Sequence, residues 1–161
     1  MPHWQKIKYV IALPPTQLAW VSALLVASFI IWLLLKVMPV RQFNALMGHH
    51  FMNRTLCILA TPEETQKALR MGNLMDAIGK HTPWPCTCLC KALCVKWLLN
   101  RYQIPAVFYM GVKKADDTIT LKAHAWINVE RHTVIGGPQH HAYRVAATYI
   151  PPNISTKASV L

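Results

Sequence analysis

Acidic side chains are scarce in this sequence. Its 161 residues contain six Asp and Glu against 17 Lys and Arg, which gives a formal net charge of +11. So basic a chain suits an anionic partner such as lipid headgroups, an acidic peptide or nucleic acid. Zinc-finger spacing, an aromatic-basic RNA-binding signature and heptad repeats are all missing. We therefore expect no nucleic-acid partner and favour a membrane or a protein.

Charge of either sign is also missing from Tyr9 to Leu35, and the stretch Leu18–Leu35 is almost purely apolar. As a helix rising ~1.5 Å per residue, this stretch reaches roughly 27 Å, close to the thickness of a hydrocarbon core. No small-x-small cleavage site follows it, which disfavours a secretory signal. Residues 18–35 are therefore predicted to insert into or contact a membrane, or to pack on the rest of the protein or a partner.

A regular disulfide framework is the third absence. The chain has five cysteines, an odd number, and their spacing is irregular. This usage predicts a reducing, cytoplasmic location, on the cytoplasmic face if the apolar helix contacts a membrane. Four cysteines lie between residues 86 and 94 as C-x-C-x-C-x3-C, without a CxxC pair. A helix would point these thiols in different directions, so neither a metal nor another cofactor is predicted.

Helix signals come before strand signals along the chain. Thr61–Lys80 begins with an N-cap at Thr61, Pro62 in the first turn and Glu64 as a capping box, and a short helix is predicted over residues 37–48. Four runs rich in β-branched and aromatic residues predict antiparallel strands. They are Ile104–Val112, Thr118–Val129, Thr133–Gly137 and Tyr143–Ile150.

This order predicts an α+β domain over residues 49–151. It is preceded by a helical region over residues 1–48 and followed by a poorly ordered tail over residues 152–161.

The cysteine-rich segment predicts a helix with Thr87 as N-cap and Cys88 at its first position. At 100° per residue, Cys88 and Cys90 point in opposite directions, and Cys94 lies on a third side. Buried apolar roles are predicted for Cys57, Cys90 and Cys94, and no role is assigned to Cys86. Cys88 is the candidate nucleophile, because free N–H groups at a helix start stabilise a thiolate and can hold an oxyanion.

A histidine complements this thiol. In the run Thr118–Val129, odd positions form an apolar face, and His124 lies on the other, more polar face. The remaining histidines are expected in loops or turns. A helix-start cysteine followed by a strand histidine is the Cys–His arrangement of thiol hydrolases and acyltransferases, which makes His124 the candidate base.

No carboxylate is available to orient His124. The only one that follows it, Glu130, is expected in a turn about 20 Å away. If Glu130 and Arg131 form a two-residue turn, His124 pairs with Gly137. Glycines 136 and 137 then occupy the position expected for an Asp. A backbone carbonyl, a water or the amide of Gln139 could orient the ring instead, and a partner could complete the dyad.

Several segments together resemble one known family. They are "LLLKVMPVRQFNALMG", "TCLCKAL", "LLNRYQIPAVFYMGVKK", "AHAWINV", "VIGG" and the last aromatic strand. In this order and spacing, from about Leu25 to Ile150, the chain resembles the stand-alone protease of lasso-peptide biosynthesis. The resemblance implies a transglutaminase-like, papain-like cysteine peptidase fold with a central helix against an antiparallel sheet, after an N-terminal hydrophobic helix.

The resemblance also implies the role and the partners. The substrate is a ribosomally made precursor peptide whose leader is removed, with Cys88 as nucleophile and His124 as base. A separate leader-binding protein captures the leader, and a cyclase acts on the freed core. Members with a third-position Asp differ from this chain, which has Gly136 and Gly137 there. Two alternatives stay open: a thiol acyltransferase on the same fold, and a non-catalytic, membrane-associated scaffold of the maturation complex.

Overall fold

A computed structural model describes residues 14–39, 49–51, 56–114 and 120–150. Its helices are α1 (Pro15–Val37), α2 (Pro62–Gly79) and α3 (Cys88–Arg101), with a 3₁₀ helix at Pro138–Ala142. Its strands are β1 (His49–Phe51), β2 (Val107–Lys114), β3 (Leu121–Val129), β4 (His132–Ile135) and β5 (Arg144–Ile150). The predicted α+β class is confirmed. The tail and most of the predicted helix over residues 37–48 lie outside the described residues.

Local capping explains where α2 begins. The Thr61 hydroxyl accepts a hydrogen bond from the backbone N–H of Glu64, and the Glu64 carboxylate accepts one from the N–H of Thr61 at 2.8 Å. This reciprocal pair satisfies two N–H groups that a helix start leaves free. The predicted capping box is therefore confirmed. Met71 and Met75 on the inner side of the helix are fully buried.

The five strands form one antiparallel sheet in the order β1-β5-β2-β3-β4. The four predicted strands are present, and β1 adds a short edge that pairs His49 with Ile150. Two register shifts interrupt the ladder, one between Met110 and Gly111 against β5 and one between Ile127 and Asn128 against β4. Such bulges bend the sheet and redirect side chains.

The two faces of the sheet pack against different layers. On one face, Ala125, Ile127 and Val129 of β3 join the main core with the helices. Ala92, Val95 and Leu99 of α3 are fully buried in that core, as their shared helical face predicts. The other face carries a second cluster, formed by Val107, Tyr109, Trp126 and Ile150. Residues of β3 therefore alternate between the helical layer and this aromatic layer.

Helix α1 lies against the other two helices. Leu24 is fully buried, and the indole N–H of Trp20 donates to the hydroxyl of Tyr102 at 2.7 Å. Helix α1 has 23 residues, and an 18-residue window within it has a mean hydropathy of 2.5, which is the length and composition of a membrane anchor or a signal sequence.

Candidate active site

The cysteine at the start of α3 occupies the predicted position. Helix α3 begins at Cys88, and the hydroxyl of Thr87 accepts from the backbone N–H of Cys90 at 3.3 Å. Within the described residues, the N–H groups of Cys88 and Leu89 have no hydrogen-bond partner. Cys88 is only partly buried, so its thiol is accessible. The two backbone donors beside it could bind an anion.

The other cysteines separate by exposure. Cys90 and Cys94 are buried in the core, as predicted. The predicted burial of Cys57 is wrong, because this residue is exposed. Residues 56–60 form no helix, and Leu56 and Ile58 turn into the second cluster. Alternation along an extended segment then leaves Cys57 on the outside.

Two of the neighbouring thiols contact each other. The Cys86 thiol donates to the Cys90 sulfur across 3.5 Å. This hydrogen bond, together with burial, raises the pKa of Cys86 far above its ordinary value. At Cys90 the bond from Cys86 lowers the pKa, but a hydrogen bond with Cys94 and burial outweigh it and raise the pKa to about 12. Both groups stay protonated at neutral pH, which disqualifies them as nucleophiles.

His124 is held by a backbone carbonyl. Its Nε2 lies 2.8 Å from the carbonyl oxygen of Gly136. A carbonyl can only accept, so Nε2 carries the hydrogen and donates it. In the neutral ring the lone pair is then on Nδ1, which makes this atom the proton acceptor. Of the orienting groups that the sequence left open, the structure selects the backbone carbonyl.

Aromatic side chains flank the same ring. The ring of His124 stacks on Tyr143 with centroids 5.0 Å apart, and on Trp126 at 6.1 Å. Gly111 pairs with His124 across the ladder, and a Cβ there would come within 2.9 Å of both Trp126 and Tyr143. Because Gly111 has no side chain, the rings of Trp126 and Tyr143 fit beside His124. Sequence reasoning did not find Tyr143 or Gly111, since only the ladder register brings them next to His124.

The predicted pairing of His124 with Gly137 is wrong by one residue. Val129 does pair with His132, as the two-residue turn predicts. A bulge then shifts the register, so that Ile127 pairs with Ile135. Gly136 consequently lies next to Trp126: a Cβ at Gly136 would be 2.3 Å from the Cβ of Trp126. Gln139 lies in the 3₁₀ helix and is exposed, and it makes no hydrogen bond to His124 in the described structure.

The two candidate residues stand on adjacent elements. Helix α3, which begins at Cys88, packs against β3, which carries His124. The body of α3 covers the row of Ala125 and Ile127, whereas His124 belongs to the row of Trp126. Among the described contacts, no hydrogen bond joins the Cys88 thiol to the His124 ring. A closed Cys–His dyad remains a prediction.

The described residues bring no metal-binding set together. No group of three His, Cys, Asp or Glu side chains in residues 14–39, 49–51, 56–114 and 120–150 is arranged to hold an ion. The cysteines at the start of α3 instead divide between a partly buried position, at Cys86 and Cys88, and the core, at Cys90 and Cys94.

The fold agrees with the comparison to known families. The sequence profile of the transglutaminase-like superfamily matches residues 34–148, from the last turn of α1 into β5. The chain belongs to this superfamily, whose members include cysteine peptidases and acyltransferases. No curated protein and no solved structure matches it.

Proposed function

We propose that this protein is a cysteine peptidase that removes the leader from a ribosomally made lasso-peptide precursor. One observation carries the catalytic part: the partly buried Cys88 begins a helix whose first two N–H groups have no partner among the described residues, and this helix packs against the strand of His124. Membership of the transglutaminase-like superfamily supports the same chemistry. The choice of a lasso-peptide leader as substrate rests on the resemblance of the sequence motifs.

The residues would divide the reaction between them. His124 Nδ1 takes the proton of the Cys88 thiol, and the thiolate attacks the carbonyl carbon of the last leader residue. The oxyanion accepts from the N–H groups of Cys88 and Leu89, where the helix dipole also favours negative charge. His124 then protonates the leaving amine of the core peptide. Water, deprotonated by the same ring, hydrolyses the thioester and releases the leader.

A carbonyl in place of a carboxylate has a chemical consequence for this site. The Gly136 oxygen fixes the ring and its tautomer, but it carries only a partial charge against the imidazolium that forms during attack. Acylation is therefore expected to be slow for the isolated chain. A substrate or partner that brings Cys88 and His124 into hydrogen-bond contact would accelerate it. This fits a peptidase that works together with a separate leader-binding protein and a cyclase.

Mass spectrometry of the cognate precursor, incubated with the chain and the leader-binding protein, tests the proposal. Cys88→Ala and His124→Ala are each expected to reduce leader removal about 10³-fold or more. Cys57→Ala removes an exposed thiol and His132→Ala an exposed strand histidine, so both controls should cleave normally. Continued cleavage by either site variant contradicts the proposal. A product in which an amine is joined to the leader would indicate acyl transfer instead.

One observation favours a second candidate, a non-catalytic scaffold of the maturation complex. The Cys88 thiol and the His124 ring form no hydrogen bond in the described structure. A scaffold would bind the precursor and the leader-binding protein with the affinity expected of a peptidase. It would give no cleavage, and Cys88→Ala would leave complex formation and maturation by another peptidase unchanged.

A further inference from the structure

Helix α1 has two unlike faces. Trp20, Leu24 and Ser28, spaced four residues apart, are at most 6% exposed. The opposite face is an apolar strip whose side chains are between 42% and 59% exposed. We define this strip as Leu18, Leu25, Val26, Phe29, Ile30 and Leu33. The helix has no charged residue before Lys36, so the strip runs over nearly its whole length.

The inner face is attached to the domain from one end to the other. Near its start, Trp20 donates to the hydroxyl of Tyr102. In the middle, the Cys90 thiol donates to the carbonyl of Ser28 at 3.6 Å, and near the end Leu35 packs against the core. If α1 crossed a bilayer, it would lose these contacts or draw the charged helices α2 and α3 into hydrocarbon. Both are costly, so the packing argues against a spanning helix.

A groove opens beside the strip, between α1 and α3. Its volume is about 640 Å³, and its walls are mainly apolar side chains such as Val26, Ile30, Leu34, Leu93 and Trp97. Val26, Ile30 and Trp97 are exposed as well, so the groove and the strip form one continuous surface. A volume of this size accommodates a chain-like apolar group such as a lipid acyl tail.

The charges near this surface select its occupant. Lys36 at the end of α1 and Arg101 at the end of α3 are exposed basic residues. Among the carboxylates of the described residues, Glu64 caps α2, Asp76 pairs with Lys91 at 2.9 Å, and Glu130 lies in the turn after β3. Of these described carboxylates, only Glu63 has neither a capping contact, an ion pair nor a turn position. The whole chain has a net charge of +11. An apolar strip with exposed basic residues at the helix ends beside it complements an anionic bilayer.

We propose that α1 lies in the plane of an anionic lipid bilayer. Its strip enters the acyl region, a lipid chain occupies the groove, and Lys36 and Arg101 contact the headgroups. The aromatic rings of Trp97 and Tyr102, both more than 40% exposed, lie at the level where membrane proteins carry their interfacial aromatic side chains. This inference does not depend on the peptidase reaction, and its test measures no cleavage.

Flotation of the full chain with lipid vesicles tests the binding. The chain should bind vesicles of phosphatidylcholine mixed with phosphatidylglycerol, bind phosphatidylcholine alone weakly, and dissociate as salt rises to about 0.5 M. The triple variant Val26→Gln, Ile30→Gln and Leu33→Gln should lower binding about tenfold or more. The single variant Val26→Gln should lower it about threefold, which keeps the test valid if the triple variant unfolds. Leu121→Gln replaces an apolar residue on β3 that is even more exposed, and this variant should bind normally.

Labelling at both ends of α1 tests the orientation. Cysteines introduced as Thr16→Cys and Lys36→Cys, on bound sealed vesicles, should both react with a membrane-impermeant maleimide added outside. Peptide mass spectrometry scores each introduced position separately. Protection of one end until the vesicles are broken would mean a spanning helix and would overturn the proposal. So would absence of vesicle binding, or a dimer in solution that the triple variant dissociates, since the strip would then cover a second copy.

Discussion

The Nε2 of His124 lies 2.8 Å from the carbonyl oxygen of Gly136, and Gly136 has a backbone φ of +108°. Side chains rarely adopt this conformation, and a Cβ at Gly136 would lie 2.3 Å from Cβ of Trp126. The carbonyl that orients the candidate base thus belongs to Gly136, a position that only glycine can occupy. Chain geometry, and not an acidic side chain, sets the tautomer of His124.

Gly136→Ala is therefore expected to damage both stability and cleavage. Backbone strain and the clash with Trp126 should together lower the free energy of unfolding by about 3 kcal/mol. Leader removal, measured on the folded fraction, should fall because the carbonyl moves away from His124. Gly137→Ala is the matched control: φ is +63°, but a Cβ there meets no atom within 4 Å. It should cost less stability and leave cleavage closer to normal, and equal effects of the two variants would refute this account.

Thiol alkylation should distinguish the five cysteines. Treatment of the folded chain with iodoacetamide at neutral pH is expected to modify Cys88 and the exposed Cys57. Cys90 and Cys94 should react only on unfolding because they are buried, and the raised pKa of Cys86 should keep it slow. Peptide mass spectrometry gives the rate at each position. Faster labelling of Cys86 or Cys90 than of Cys88 would contradict the assignment of the nucleophile.

Whether the sequence alone predicts an element depends on how far apart in the chain the residues that form it lie. The starts of α2 and α3 follow from Thr61 and Thr87, whose side chains cap N–H groups three residues away. Cys90 and Cys94 are buried, as expected for cysteines in an apolar helix. Such signals are local, and a single sequence contains them in full.

The features that the sequence did not predict are all set by pairing between distant segments. Strand β1 is three residues long and exists because it pairs with β5. The exposure of Cys57 depends on Leu56 and Ile58 packing under the sheet. The bulge opposite Ile127 shifts the register by one residue, so Gly136 lies against Trp126 and the count that paired His124 with Gly137 fails. Counting along a hairpin assumes a regular ladder, so it fails at the first bulge.

The N-cap of α3 should matter for chemistry as well as for stability. Thr87→Ala removes the acceptor for the N–H of Cys90 and is expected to cost about 1 kcal/mol in unfolding free energy. Fraying of the first turn should also slow alkylation of Cys88 about threefold, because the thiol and the N–H groups beside it lose their fixed arrangement. Thr61→Ala, at the start of α2, should cost as much without changing this rate. If both variants slow alkylation equally, the effect is one of general stability.

Lys96 provides a pH-dependent prediction. It is 4% exposed, and burial lowers the pKa of its ammonium from 10.5 to about 8. The folded state binds this proton less tightly than the unfolded state does. Between the two pKa values the unfolded chain holds more protons, so the free energy of unfolding rises with pH above about 8. Below about pH 8, Lys96 is charged in both states, and the cost of burying its charge lowers the free energy of unfolding in full.

Lys96→Met keeps most of the side-chain volume and removes the charge. It should be more stable than the wild type at pH 7 by about 1–3 kcal/mol, and the difference should shrink steadily toward pH 9.5. Urea unfolding at several pH values measures both curves. Comparing the two proteins at each pH cancels Tyr109 and Tyr149, whose pKa values burial raises above 10 in both. A difference that stays constant from pH 7 to pH 9.5 would show that Lys96 does not lose its proton in the folded protein over this range.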